Sequence, residues 1–220
     1  MALAVLLDLD GTLFDSFDAI LHAMNAALAE NDEPPLRDDE LRPLVGMPVR
    51  RQMALLRGWE GPPVKRLAQR YYEYFDARVA EGLPLYPGVR DTLEALADRP
   101  LGTITTRRTL MARRMLRGAG LAGFFQAIVG GDAVPRPKPA PDLIHHAAGA
   151  IGRTAAESVA VGDSPVDLQA GRFAGARTVA ALYGYGDDEA LLAVDPDGEI
   201  TRFPELLAVL AEIEEIGAER

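Results

Sequence analysis

Cysteine is absent from the 220-residue chain. Thiol nucleophiles, disulfides and cysteine-ligated zinc or iron–sulfur centres are therefore excluded. Histidine is scarce, at three residues, and two of these are the neighbours His145 and His146. Adjacent helical side chains point about 100° apart, so without a spaced partner this pair reads as surface or packing rather than as a metal site. Tryptophan occurs once, at Trp59, and with Tyr71, Tyr72, Tyr74 and Phe75 it reads as packing between helices. Positive charge is in deficit: 23 Lys and Arg face 33 Asp and Glu, for a formal net charge of -10. Nucleic acid and anionic membrane would both be repelled, while a local cationic pocket for a small anionic molecule remains open. Long apolar runs are also missing. The longest uncharged stretch, 118–131, has 14 glycine-rich residues, whereas a spanning helix needs about 20. The first residues turn acidic at Asp8 with no basic leader, so a cytoplasmic protein without a signal peptide is expected.

Hydrophobic residues make up 48% and charged residues 25% of the chain, as in a globular protein of one domain or one domain carrying a smaller insert. Short apolar runs at 3–9, 101–106, 126–130, 158–163 and 177–181 read as strands. Helical stretches fall between the later ones, at 89–97, 109–117, 140–149 and 165–174. This alternation predicts an α/β fold with a mostly parallel, Rossmann-like sheet, whose ligands sit beyond the carboxyl ends of the strands. Residues 16–84 break the pattern with helices at 17–30, 38–44, 48–57 and 63–80 and no convincing strand. They are expected to form an inserted helical cap, leaving 1–15 and 85–220 as the core; the alternative is one continuous α/β domain with a long crossover.

Four polar clusters fall at predicted strand ends. Asp8 and Asp10 are two apart in extended chain and point the same way, and Gly11 and Thr12 offer backbone N–H groups in a tight turn. Thr105, Thr106 and Arg107 supply hydroxyls and a cation. Lys138 is held between Pro137 and Pro139, and Asp163 and Asp167 add two more carboxylates. Carboxylates converging on one crevice repel one another by about 4 kcal/mol per pair at 4 Å and an effective dielectric near 20. A hard divalent cation such as Mg²⁺ relieves this. With a lysine, hydroxyls and amides alongside, the second ligand should be an oxyanion such as phosphate, and the layout reads as metal-assisted phosphoryl transfer to an aspartate.

In order, DLDGTLFDS at 8–16, YPGV at 86–89, ITT at 104–106, RPKPAPD at 136–142 and VGDSPVDLQAG at 161–171 resemble the haloacid dehalogenase-like hydrolases. The resemblance is to the branch of phosphoglycolate phosphatase and β-phosphoglucomutase, and it covers nearly the whole chain. It implies that Asp8 is the nucleophile and that Asp10 is the general acid, then the general base. It implies Mg²⁺ held by Asp8, the backbone carbonyl of Asp10 and Asp163, with Asp167 in support. Thr105 and Lys138 would bind the phosphoryl oxygens, helped by Gly11 and Thr12. The dehalogenases lack the second aspartate, so a C–halogen bond is not the expected target. The branch commonly has Asn where this chain has Thr106, followed here by Arg107, which leaves the substrate contacts open.

Within the expected cap, Arg50 and Arg51 read either as a solvated helix face or, for Arg50, as a contact to a substrate anion, and Arg107 has the same two readings. The expected activity is hydrolysis of a small phosphorylated metabolite such as phosphoglycolate. Two alternatives stand beside it: a phosphosugar mutase on the same residues, and a phosphate-binding module without turnover.

Overall fold

The computed structural model describes residues 2–218. The first strand, β1 (Ala4–Leu7), is apolar at every position because it lies inside a sheet covered on both faces. With β2 (Leu101–Thr103), β3 (Ser158–Gly162), β4 (Arg177–Ala181) and β5 (Gly198–Ile200) it forms a five-stranded parallel sheet of order β2-β1-β3-β4-β5. Strand periodicity sorts the side chains into two layers. Val5, Leu7, Val159 and Val161 face the layer of α5 (Val89–Ala95) and α10 (Leu206–Ala218). Leu6 and Ala160 face α7 (Asp142–Ala150) and α8 (Pro165–Ala174). In a sheet of this order the chain departs in opposite directions from β1 and β3, which opens a crevice at their carboxyl ends.

Between β1 and β2 run α1 (Phe17–Ala29), α2 (Asp38–Leu41), α3 (Val49–Arg57) and α4 (Pro62–Glu81). Prolines suit the first turn of α4, whose N–H groups need no helical partner. Val64, Leu67, Tyr71, Phe75 and Val79 then recur at helical spacing and are buried, sharing a core with Ile20, Ala23, Met24 and Ala27 of α1. Glu30 accepts Arg70 Nε at 2.7 Å and the Tyr74 hydroxyl at 2.6 Å, tying the two helices together. The two crossings into this insertion lie side by side. Asp15 N–H donates to the Pro84 carbonyl and Tyr86 N–H to the Leu13 carbonyl, both at 3.0 Å, and Phe14 bridges Leu85.

Two expectations need correction. The run 126–130 is not a strand of the sheet: it lies along β2 through isolated bridges from Ala127 to Gly102 and from Gly130 to Thr105, with hydrogen bonds from Gln126 N–H to the Leu101 carbonyl and from Thr103 N–H to the Ala127 carbonyl, at 3.0 and 3.1 Å. Gly130, still extended, presses so close that a Cβ there would lie 2.3 Å from the Arg107 carbonyl, and the chain turns just after it at Gly131–Ala133. The fifth strand is β5, whose three residues carry one buried side chain, Ile200, too little for a period-2 pattern. The chain also carries α6 (Thr109–Gly118), close to its expected span, and α9 (Asp188–Leu192), which the pattern does not announce.

Candidate active site

Asp8 follows β1 directly, and its N–H donates to the Val161 carbonyl at 3.0 Å, so the sheet itself fixes its place. Asp163 follows β3 beside it. Its Oδ2 accepts the Tyr185 N–H at 2.8 Å and its Oδ1 the Thr12 hydroxyl at 3.3 Å. Gly11 makes the approach possible. Its φ is +80°, and a Cβ there would sit 2.0 Å from Asp163 Oδ2. Asp167 lies on the first turn of α8 and accepts the Ser164 N–H at 3.1 Å, so it also caps that helix. Lys138 reaches in from the proline-framed loop and donates to Asp8 Oδ1 at 3.1 Å and to Asp167 Oδ1.

Asp8, Asp163 and Asp167 are buried, and one oxygen of each lies within 4.8 Å of the other two. Burial pushes the Asp8 carboxyl up to about 7, against the pull of Lys138 and with the push of Asp167 and Asp10. Burial likewise raises Asp163 well above the carboxylate range, helped by Asp167 and Asp8. Burial works against the Lys138 charge, but Asp167 and Asp8 more than offset it and the ammonium titrates above its ordinary range. One ammonium does not balance three carboxylates. An all-oxygen, hard, acidic donor set with this deficit fits Mg²⁺.

Asp10 stands apart from this trio. Its carboxylate takes a two-pronged contact from Arg107, Nε to Oδ2 at 2.7 Å and Nη2 to Oδ1 at 3.0 Å, and Oδ1 also accepts the Ser16 hydroxyl at 2.5 Å. The Asp10 side chain is therefore committed elsewhere, and only its backbone carbonyl is left for the metal role the resemblance implies. Arg107 is also held from the side of α4, with three of its five N–H groups engaged. Its Nη1 donates to the Tyr71 hydroxyl at 3.1 Å and its guanidinium lies 3.7 Å from the centre of the Phe75 ring. Thr105 is buried and accepts the Arg107 N–H at 3.1 Å. The amides of Gly11 and Thr12 do not form an open nest: they donate to the carbonyls of Phe14 and Leu9, at 2.9 and 3.3 Å.

A cavity of about 310 Å³ lies between the insertion and the core, with Asp10, Thr106, Arg107 and Lys138 on one wall and Val45, Val49, Gln52 and Tyr71 on the other. A narrower cleft sharing Asp10, Thr106 and Lys138 leads from it to Asp8, Asp163 and Asp167. Arg50 lines an outer groove on the far side of Tyr72 and does not face this cavity. His145 and His146 are exposed on α7.

Sequence reasoning misses several participants. Ser16 holds Asp10, Tyr71 and Phe75 hold Arg107, and Tyr185 holds Asp163 while its hydroxyl accepts the Ser16 N–H at 2.5 Å. The Tyr183-Gly-Tyr-Gly186 run follows the expected strand 177–181 and so occupies the same rim as the other four clusters, a signal carried by the sequence itself. Gly184 in it has no room for a Cβ, which would lie 2.2 Å from that of Asp163.

Comparison with known proteins places this arrangement. Residues 5–181 match the family described as haloacid dehalogenase-like hydrolase. The phosphoglycolate phosphatase of Pectobacterium atrosepticum is 31% identical over 210 residues, covering 92% of this chain and 90% of the relative. That of Yersinia pseudotuberculosis is 32% identical, covering 94% and 92%. Among solved structures, CbbY from Rhodobacter sphaeroides in complex with xylulose-1,5-bisphosphate superposes with a TM-score of 0.83 at 26% identity, covering 96% of this chain and 99% of that one. A crystal structure described as a predicted phosphoglycolate phosphatase from Haemophilus somnus gives a TM-score of 0.86 at 25% identity, covering 94% and 96%. With most of the chain matched, a span that includes the acidic trio and Lys138, the chain belongs to the haloacid dehalogenase-like hydrolase family and is a phosphatase enzyme.

Proposed function

We propose that the protein is a Mg²⁺-dependent phosphatase that hydrolyses a small phosphomonoester through an aspartyl-phosphate at Asp8. One observation carries the reading: Asp8 sits at the β1/β3 crevice, 3.1 Å from the Lys138 ammonium and grouped with Asp163 and Asp167, at the end of a cleft leading from the cavity between the helices and the core. An Asp8 oxygen attacks phosphorus while the P–O bond to the leaving alcohol breaks, and Asp10 gives the alcohol its proton. Asp10 then takes a proton from water as that water attacks the aspartyl-phosphate, releasing inorganic phosphate and restoring Asp8. Lys138 and Thr105 steady the charge on the transferring oxygens. Bound at Asp8, Asp163 and the Asp10 carbonyl, with Asp167 in support, Mg²⁺ would supply charge neutralisation and orientation of the phosphoryl group.

Residues 16–84 act in this reading as a cap that excludes bulk water during transfer. Phosphoglycolate, the substrate named for the curated relatives, is the first ester to test. Beyond the phosphate, Gln52 favours a leaving group with a hydrogen-bond donor. Its Nε2 donates to the carbonyls of Leu44 and Met47 at 3.0 Å each, and its buried Oε1 lacks a partner among the described residues. A reducing, metabolite-rich compartment, the cytoplasm, is the matching location. The deciding experiment is phosphate release from a panel of phosphorylated metabolites, with and without Mg²⁺, by the wild-type protein and by Asp8→Asn. A well-folded Asp8→Asn protein with wild-type rates would refute the nucleophile.

A further inference from the structure

Three parts of the chain meet at the Arg107 guanidinium. From the loop after β1 comes Asp10, bound through both oxygens. From α4 of the insertion come the Tyr71 hydroxyl at 3.1 Å and the Phe75 face at 3.7 Å. Arg107 itself leaves the end of β2, where its own N–H is tied to the Thr105 hydroxyl. Both side chains of the pair are nearly closed to solvent, at 10% and 9% exposure. Solvent screening is weak there, and a planar guanidinium holds a carboxylate in one plane as a lysine does not. The contacts also distinguish the two oxygens of Asp10. Oδ1 accepts from both Ser16 and Arg107, while Oδ2 accepts, among the described residues, from Arg107 alone. Oδ2 thus keeps the spare lone pair.

We propose that Arg107 is a positioning residue that couples the seating of α4 to the aim of Asp10. With α4 in place, Tyr71 and Phe75 fix the guanidinium, the guanidinium fixes both carboxyl oxygens, and Oδ2 is left to exchange a proton with the leaving group. With α4 lifted, Arg107 loses its ring and its hydroxyl partner, and the carboxyl loses its fixed plane. Proton transfer at Asp10 is thereby reserved for the closed cavity. The inference rests on the proposed role of Asp10 as acid toward the leaving alcohol.

Leaving-group dependence tests it. An alkyl phosphate needs a proton delivered as its P–O bond breaks, whereas p-nitrophenyl phosphate releases p-nitrophenolate, a stabilised anion that leaves without a proton. kcat/KM reports the steps up to formation of the aspartyl-phosphate, so later hydrolysis does not blur the comparison. Arg107→Lys keeps the charge and loses the two-pronged grip, and Tyr71→Phe removes the hydroxyl contact from α4 and leaves the Phe75 face in place. The expected result is a loss on 2-hydroxyethyl phosphate at least about tenfold greater than on p-nitrophenyl phosphate for Arg107→Lys, with a smaller skew of the same sign for Tyr71→Phe. Equal losses on both esters would reduce Arg107 to a structural role and overturn the proposal, as would an alkyl rate that rises. A skew in Arg107→Lys without one in Tyr71→Phe would overturn the coupling to α4. If the wild-type protein released phosphate from neither ester nor any member of the metabolite panel, the role of Asp10 as acid toward a leaving alcohol would fall, and this inference with it.

Discussion

Lys138 Nζ lies 3.1 Å from Asp8 Oδ1, although 130 residues separate the two in sequence. Its second partner is Asp167, so one ammonium bridges two carboxylates that would otherwise repel each other. Replacing Lys138 by Met should lower kcat by about 10²–10³, the usual cost of losing one donor to developing charge. It should also destabilise the metal-free protein by about 3 kcal/mol near pH 8, because breaking a buried pair leaves charge uncompensated. Protonation of the abandoned carboxylates relieves that penalty, so the deficit should shrink at pH 5. Urea unfolding in EDTA at the two pH values measures both.

The raised carboxyls give a second pH effect. Asp8 moves from 3.8 to about 7, and Asp163 moves in the same direction. Between those values the native state holds more protons than the unfolded chain, so stability falls as pH rises through this window. Metal-free protein should therefore melt at a lower temperature at pH 8 than at pH 5. Mg²⁺ competes with those protons, so the melting-point gain on adding it should grow over the same interval. Scanning fluorimetry with and without Mg²⁺ reads both slopes, and a gain independent of pH would separate the metal from these two carboxyls.

Gly11 and Asp163 are mutually dependent. Gly11→Ala would bring a Cβ to 2.0 Å from Asp163 Oδ2 and would strain a backbone at φ +80°. Asp163 must then move, and the expected outcome is weaker Mg²⁺ stabilisation together with loss of turnover, in a protein that still folds. Unchanged Mg²⁺ titration of the melting point would show that Asp163 is not a ligand.

Much of this site is legible in the sequence because strand ends are legible. A buried parallel strand reads as an uninterrupted apolar run, and Asp8, Thr105 and Asp163 each stand at or just beyond the end of one. What each side chain touches is less accessible. Arg107 reads as free for substrate, yet its partners lie 97 residues away at Asp10 and 36 away at Tyr71. Tyr71 and Phe75 carry an ordinary amphipathic signal, and only the docking of α4 turns them toward a guanidinium. The short β5 escapes for a different reason: it contributes little burial and takes its place by pairing with β4.

Gln52 offers a substrate test independent of the catalytic groups. If its Oε1 receives a donor from the leaving group, 2-hydroxyethyl phosphate should be preferred to ethyl phosphate by wild-type protein. Gln52→Leu should erase that preference, at a cost of about 1–3 kcal/mol, or roughly 5- to 150-fold in kcat/KM. An undiminished preference in Gln52→Leu would assign the discrimination elsewhere in the cavity.

The paired crossings at Leu13–Asp15 and Pro84–Tyr86 set a direction for ligand traffic. Main-chain bonds tether the two spans along one edge, so a swing about that edge is easier than a slide across it. In the proposed cap reading, such a swing would open the passage where Tyr72, Arg107 and Arg108 line both the inner cavity and the outer groove. Ester and released phosphate would share that doorway, and bulky replacements at Tyr72 would slow passage in both directions while leaving the bond-breaking chemistry alone.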